Sequence, residues 1–152
     1  MEPIRILFVC HGNICRSTMA QCVMQHMVDE RGLSDRFVID SSATTNEEIG
    51  NPIYPPARRK LNAEGVPVVP HRARRIRADE ADAWDYIVCM DEENIWHLQR
   101  ILGAHNMGKV TKLLEHAGVH RDVADPWYTG DFDATYRDVV DGCSALLDSL
   151  VG

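Results

Sequence analysis

Ile4-Arg5-Ile6-Leu7-Phe8-Val9-Cys10-His11-Gly12-Asn13-Ile14-Cys15-Arg16-Ser17 holds three kinds of sequence in immediate succession. Ile4 to Val9 is a short apolar run of the type that forms a buried strand, and Ser17 to Arg31 has the amphipathic spacing of a helix. A polar, glycine-containing loop joins them. Such a loop aims several unpaired backbone N–H groups, together with the positive end of the helix dipole, at one spot. That spot carries a cysteine at its start and an arginine six residues later, so the stretch reads as an anion cradle holding a thiol.

Working outward, Gly32 reads as a helix stop and Arg36 to Ser41 as a second short strand. A strand, helix and strand of this length predict a right-handed crossover between parallel neighbours. Asp85 to Met90 and Lys109 to Leu114 read as the third and fourth strands. Helices are expected over Ala57 to Ala63, over Ala78 to Ala83 and after Asp91-Glu92-Glu93-Asn94. The last runs from Asp133 to Leu150, where Tyr136, Val139, Val140, Cys143, Leu146, Leu147 and Leu150 share one face. This alternation predicts an α/β fold in three layers: a four-stranded parallel sheet with helices on both faces and a phosphate-binding loop after strand 1. Ser42 to Pro56 is a long connector, punctuated by Gly50-Asn51-Pro52 and Pro55-Pro56, and is expected to shape a binding surface. The basic run His71 to Arg77 reads mostly as a solvated face.

At 152 residues the chain is expected to form one domain over 1–152, long enough to bury about two-thirds of its unfolded surface. A net charge of -7 argues against nucleic acid or an anionic membrane as partner, since both need a basic footprint. The five cysteines are odd in number and lack the spacing of a secreted disulfide framework, which fits a reducing compartment. Met1-Glu2-Pro3 is not a basic leader, and no apolar run approaches the roughly 20 residues of a membrane helix. A cytoplasmic protein, monomeric or weakly dimeric, is therefore expected.

The loop suggests a chemistry. A thiolate is a far better nucleophile than a thiol, and the helix N-terminus, the loop amides and Arg16 all favour the anion, with the Ser17 hydroxyl placed to donate to sulfur. The same groups suit a phosphate: amides take its oxygens and a guanidinium binds two of them side by side. Gly12 permits close backbone approach, and Asn13 tolerates a positive φ. Attack of Cys10 on phosphorus gives a phosphocysteine, and the departing oxygen needs a proton. Asp125 is the candidate general acid, because Pro126 stiffens its loop and Trp127 and Tyr128 can wall a pocket for the leaving group.

These residues resemble the low-molecular-weight protein tyrosine phosphatases. The resemblance rests on Val-Cys-x-Gly-Asn-Ile-Cys-Arg-Ser at 9 to 17 and Asp125-Pro126 with two aromatics following. Between them stand Asp40-Ser41, Gly50-Asn51-Pro52, His71-x-Ala73-Arg74 and Cys89-Met90-Asp91. It implies Cys10 as nucleophile, Arg16 as phosphate clamp, Asp125 as acid and then base, no metal or cofactor, and phosphotyrosine-containing proteins as substrates. It further implies that Asn13, Ser17, Ser41 and His71 form a hydrogen-bond network supporting the loop, and that Cys15 can close a reversible disulfide with Cys10. Two positions depart from the pattern. His11 stands where small or apolar residues are usual, leaving it either to line the rim or to lend charge to Cys10. Glu47 replaces an aromatic at the pocket mouth and Glu48 follows it, so the slot is expected to be half open, with weaker grip on simple aryl phosphates.

Three rival readings share parts of the pattern. Resemblance to a protein-arginine phosphatase would imply threonine where Ile14 stands, and resemblance to an arsenate reductase of this fold would imply a further cysteine soon after Cys89, where the sequence has none. A non-catalytic phosphate-binding module would not need Arg16 and Asp125-Pro126 together. Cys22, Cys89 and Cys143 read as packing residues, as do Trp84, Trp96, Met19, Met24 and Met27 in core or half-buried positions; His116 and His120 lack a third metal ligand.

Overall fold

The computed structural model describes residues 2–152. Four strands, β1 (Ile4–Cys10), β2 (Phe37–Ala43), β3 (Tyr86–Cys89) and β4 (Val110–Lys112), form one parallel sheet in the order β2-β1-β3-β4. Five α-helices intervene: α1 (Arg16–Glu30), α2 (Pro55–Ala63), α3 (Glu92–Leu102), α4 (Pro126–Thr129) and α5 (Phe132–Val151). The expected fold class is found, and β1 lies beside β2 in parallel, as expected.

β1 explains the layering. Its side chains alternate between two cores: Ile6, Phe8 and Cys10 join α1, α2 and α5 on one face, while Leu7 and Val9 join Ile87, Leu98, Leu102 and Trp84 on the other. Ile6 to Val9 are all fully buried. A strand covered on both faces reads as an unbroken apolar run, and its carboxyl end, Cys10, is delivered between the two layers.

Several elements differ from the sequence reading. β2 runs on to Ala43 because a segment of the basic run extends the sheet edge: Ala43 N donates to Arg74 O at 2.7 Å and Ile76 N to Ala43 O at 2.9 Å. Arg74 is thus no solvated cation; its guanidinium lies between Asp40 and the buried Glu80, whereas Arg72, Arg75 and Arg77 are exposed. β4 stops at Lys112, because Leu113 and Leu114 turn inward in a 3-10 turn against α5. Of Ala78 to Ala83 only Ala81–Ala83 is helical, again as a 3-10 turn. α2 begins two residues early, with Pro55 in its first turn where a missing N–H costs nothing. Trp96 is 59% exposed rather than packed, its ring covered by the Arg100 guanidinium at 5.1 Å. Among the described residues, no helix is long and apolar enough to cross a membrane.

Gly142 marks the tightest helix contact. A Cβ there would land on Leu113 Cγ, with Leu113 Cδ1 at 2.8 Å, and Leu113 is fully buried. Replacing a mid-helix glycine by alanine ordinarily gains about 1 kcal/mol, but overpacking a filled core costs about 1–3 kcal/mol. Gly142→Ala is therefore expected to lower the melting temperature by a few degrees; a rise would show that Leu113 has room to move.

Candidate active site

The loop from Cys10 to Arg16 is bent by Asn13, the one non-glycine residue with positive φ (60°) among those described. Its side chain is held from four directions. Nδ2 donates to Ser17 Oγ (2.8 Å) and Ser41 Oγ (2.9 Å), while Oδ1 accepts from His71 Nε2 (2.8 Å) and the Arg74 amide (3.3 Å). An amide oxygen only accepts, so the proton between it and His71 sits on Nε2. Ser41 in turn donates to Gln21 Oε1. The expected support network is thus present, with Gln21 as an added member.

The network ends at sulfur. Cys10 Sγ lies 3.0 Å from Ser17 Oγ and 3.4 Å from the Ser17 amide nitrogen. Asn13 already donates into Ser17 Oγ, so the Ser17 hydroxyl proton is free to turn toward a thiolate. No side chain caps α1, which leaves its leading N–H groups to the loop.

Arg16 is 3% exposed. Its Nη1 donates to Asp91 Oδ2 (2.7 Å) and Val123 O (3.0 Å), and Nη2 lies 3.5 Å from Asp125 Oδ2. Burial works against the guanidinium charge, but Cys10, Asp91 and Asp125 outweigh it and hold the group above its ordinary range. Asp125, more than a hundred residues downstream, is thereby brought to the cradle. Its Oδ1 accepts from the Trp127 amide (3.0 Å), capping α4, and Oδ2 is left toward Arg16.

A cleft of about 170 Å³ opens above the loop, lined by Cys10 to Arg16, Tyr54, Asp125, Trp127 and Tyr128, with Glu47 and Glu48. The Tyr54 and Trp127 rings pack at 5.1 Å with their planes tilted by 46°, and Phe132 backs Tyr54 at 6.1 Å. Trp127 walls the cleft as expected; Tyr128, 85% exposed, stands at its outer edge. His11 resolves to the rim: Nε2 is 2.7 Å from Glu47 Oε2 and Nδ1 3.8 Å from Glu93 Oε1. Gly12 is close-packed against Glu48, where a Cβ would meet Cγ at 3.3 Å. Cys15 is a free, half-buried thiol beside Cys10, pushed up by burial and by the charges of Cys10 and Asp125. Cys22, Cys89 and Cys143 are buried, with burial pushing each thiol up, as packing residues should be.

Tyr54 and Asp91 are the site residues that sequence reading missed. Tyr54 carried one signal, an aromatic directly before a helix-starting Pro-Pro; its amide donates to Ile14 O at 2.8 Å and so ties α2 to the loop. Asp91 caps α3, and only the fold shows that its second oxygen faces Arg16.

The model describing low molecular weight phosphotyrosine protein phosphatases matches residues 5–151. The chain belongs to this family. It is 36% identical to the low molecular weight protein-tyrosine-phosphatase YfkJ of Bacillus subtilis, over 97% of this chain and 96% of that one. It is also 36% identical to the human low molecular weight phosphotyrosine protein phosphatase, over 94% and 93%. The crystal structure of YfkJ superposes with a TM-score of 0.95, covering 99% of this chain and 96% of that one. The chain is therefore an enzyme of the protein-tyrosine-phosphatase class, and its α/β sheet with the loop after β1 is that of the family.

His71 gives this phosphatase a pH signature. Burial holds its imidazole below the ordinary value of 6.5, with Asp40 opposing and Arg74 assisting. Between the folded and unfolded values the unfolded chain binds more protons, so the contribution is complete above pH 6.5 and is lost as pH falls below it. Urea midpoints of the wild type are expected to drop more steeply below pH 6.5 than those of His71→Gln. Parallel curves would show that His71 is not held neutral.

Proposed function

We propose that this phosphatase hydrolyses phosphotyrosine in proteins in two steps at the Cys10 loop. Cys10 thiolate attacks phosphorus, an S–P bond forms and the P–O bond to the aryl group breaks. Arg16 and the loop amides hold the three equatorial oxygens, whose charge they offset most in the transition state. Asp125 gives its proton to the departing oxygen. Water then attacks the phosphocysteine, the Asp125 carboxylate takes a proton from it, and phosphate leaves with the thiolate restored. No metal or cofactor is needed for either step. The observation that carries this reading is Asp125 Oδ2 standing 3.5 Å from Arg16 Nη2 with its other oxygen fixed by the α4 cap.

The roles of the remaining residues follow. Asn13, Ser17, Ser41 and His71 orient the loop and stabilise the thiolate; Ile14 and Cys15 line the cleft, and Gly12 allows the loop's approach to Glu48. Ile14 also favours tyrosine over arginine as the phosphorylated side chain. Tyr54 and Trp127, packed against each other, form one wall for the aryl ring. A cytoplasmic location fits the five free thiols, and a monomer or weak dimer is the working oligomeric state.

Asp125→Asn is expected to reduce kcat/KM for phenyl phosphate by about 10²–10⁴, the usual worth of a general acid. For para-nitrophenyl phosphate, whose leaving group hardly needs a proton, the loss should be far smaller. Equal losses would remove Asp125 from the acid role. Excess chelator should leave the wild type unaffected, and Cys10→Ser should abolish turnover.

The mouth should also select. Among the described residues, the basic side chains that reach Glu47 and Glu93 are the imidazoles of His11 and His97, and Glu48 is bonded to Asn51. Phosphopeptides with acidic flanks should therefore be turned over less efficiently than neutral ones. A peptide panel in which acidic flanks raise kcat/KM would contradict this.

A further inference from the structure

The loop from Ala124 to Asp131 carries Asp125, Trp127 and Tyr128, and both of its ends return to one side chain. Thr135 Oγ1, on the first turn of α5, lies 3.1 Å from Ala124 O and 3.3 Å from Asp131 O. One hydroxyl proton serves both carbonyls, and the longer contact is the usual one of a helical threonine to the carbonyl four residues earlier. The shorter one is not. It spans eleven residues and ends on the carbonyl of the peptide whose nitrogen belongs to Asp125.

The rest of the incoming chain is already hydrogen-bonded to its surroundings. Val123 N donates to Met90 O (2.9 Å), Val123 O accepts from Arg16, and Asp122 Oδ1 accepts from Lys112 Nζ (3.1 Å) and the Glu92 amide (3.1 Å). Arg121 is clamped on Asp138 of α5 through both its terminal nitrogens. Beyond Asp125, the amides of Tyr128 and Thr129 fold back on Asp125 O. The Ala124–Asp125 peptide plane is the remaining joint, and the Thr135 hydroxyl is its fastener. Thr135 is 1% exposed, so water does not readily take its place.

We propose that Thr135 is a positioning residue for proton transfer: its hydroxyl fixes the Ala124–Asp125 peptide plane and thereby sets the Asp125 carboxyl beside Arg16. The proposal rests on Asp125 acting as the general acid. Thr135 touches neither Cys10 nor phosphate, so its loss leaves the attack intact and misplaces the proton donor. A shift of about 1 Å in a reacting group can cost on the order of 10²-fold.

The test compares kcat/KM for phenyl phosphate and para-nitrophenyl phosphate in the wild type, Thr135→Val, Thr135→Ser, Asp125→Asn and the Thr135→Val/Asp125→Asn double variant. Thr135→Val should lose about tenfold or more on phenyl phosphate relative to para-nitrophenyl phosphate, within that 10² ceiling. Thr135→Ser, which keeps the hydroxyl, should recover most of it. In the Asp125→Asn background the valine should add little, because the group it misplaces is already gone. Equal losses on both substrates, no recovery with serine, or a full additive loss in the double variant would each overturn the proposal while leaving Asp125 in its role. If Asp125→Asn itself treats the two substrates alike, the acid reading fails and this proposal with it. Should Thr135→Val not fold, Thr135→Ala removes the same hydroxyl and carries the same expectation.

Discussion

Asn13 keeps a left-handed backbone conformation that costs an L-residue roughly 1–2 kcal/mol, and four side-chain hydrogen bonds hold it there. The rest of the site depends on that bend. It turns the loop so that Cys10, at the end of β1, and Ser17, in the first turn of α1, meet at 3.0 Å. It also commits the polar groups of three other elements: Ser41 from β2, Gln21 from α1, and His71 with Arg74 from the strip that extends the sheet edge. Buried polar networks of this kind stabilise only when every member is satisfied, and here Asn13 has no unused donor.

A second constraint joins the two ends of the chain. Arg16 is buried, and a buried guanidinium needs partners on all sides. It finds Asp91 at the start of α3, Val123 O on the segment leading to α4, and Asp125 itself. The side chain that would grip phosphate is thus the one that gathers the acid loop. Lys112, between Glu92 and Asp122, braces the same segment from β4. The carboxyl ends of all the strands in this region are consequently tied to one cradle, which is how a parallel sheet concentrates function at one edge.

Much of this was legible in the sequence, for local reasons. The apolar run of β1, the glycine-containing loop and the amphipathic α1 are signals carried within a few residues of one another. The α5 stripe, Tyr136 to Leu150, is likewise periodic over its whole length. What the sequence hid depends on tertiary neighbours. Leu113 and Leu114 are as apolar in a 3-10 turn as in a strand, so β4 was read too long. The arginines at 72, 74, 75 and 77 look alike in sequence, and only the sheet edge makes Arg74 the partner of the buried Glu80. Tyr54 and Asp91 became site residues through contacts with Ile14 and Arg16 far away along the chain. His11 is placed at the rim by Glu47 and Glu93, which lie far from it along the chain.

The central claim is that phosphate passes through sulfur. Rapid acid quench of the enzyme with para-nitrophenyl phosphate, followed by peptide mapping by mass spectrometry, tests it most directly. A phosphoryl adduct on the peptide holding Cys10 is expected in the wild type, and more of it in Asp125→Asn, whose hydrolysis step lacks its base. An adduct on another residue, or turnover with no adduct in either protein, would contradict it.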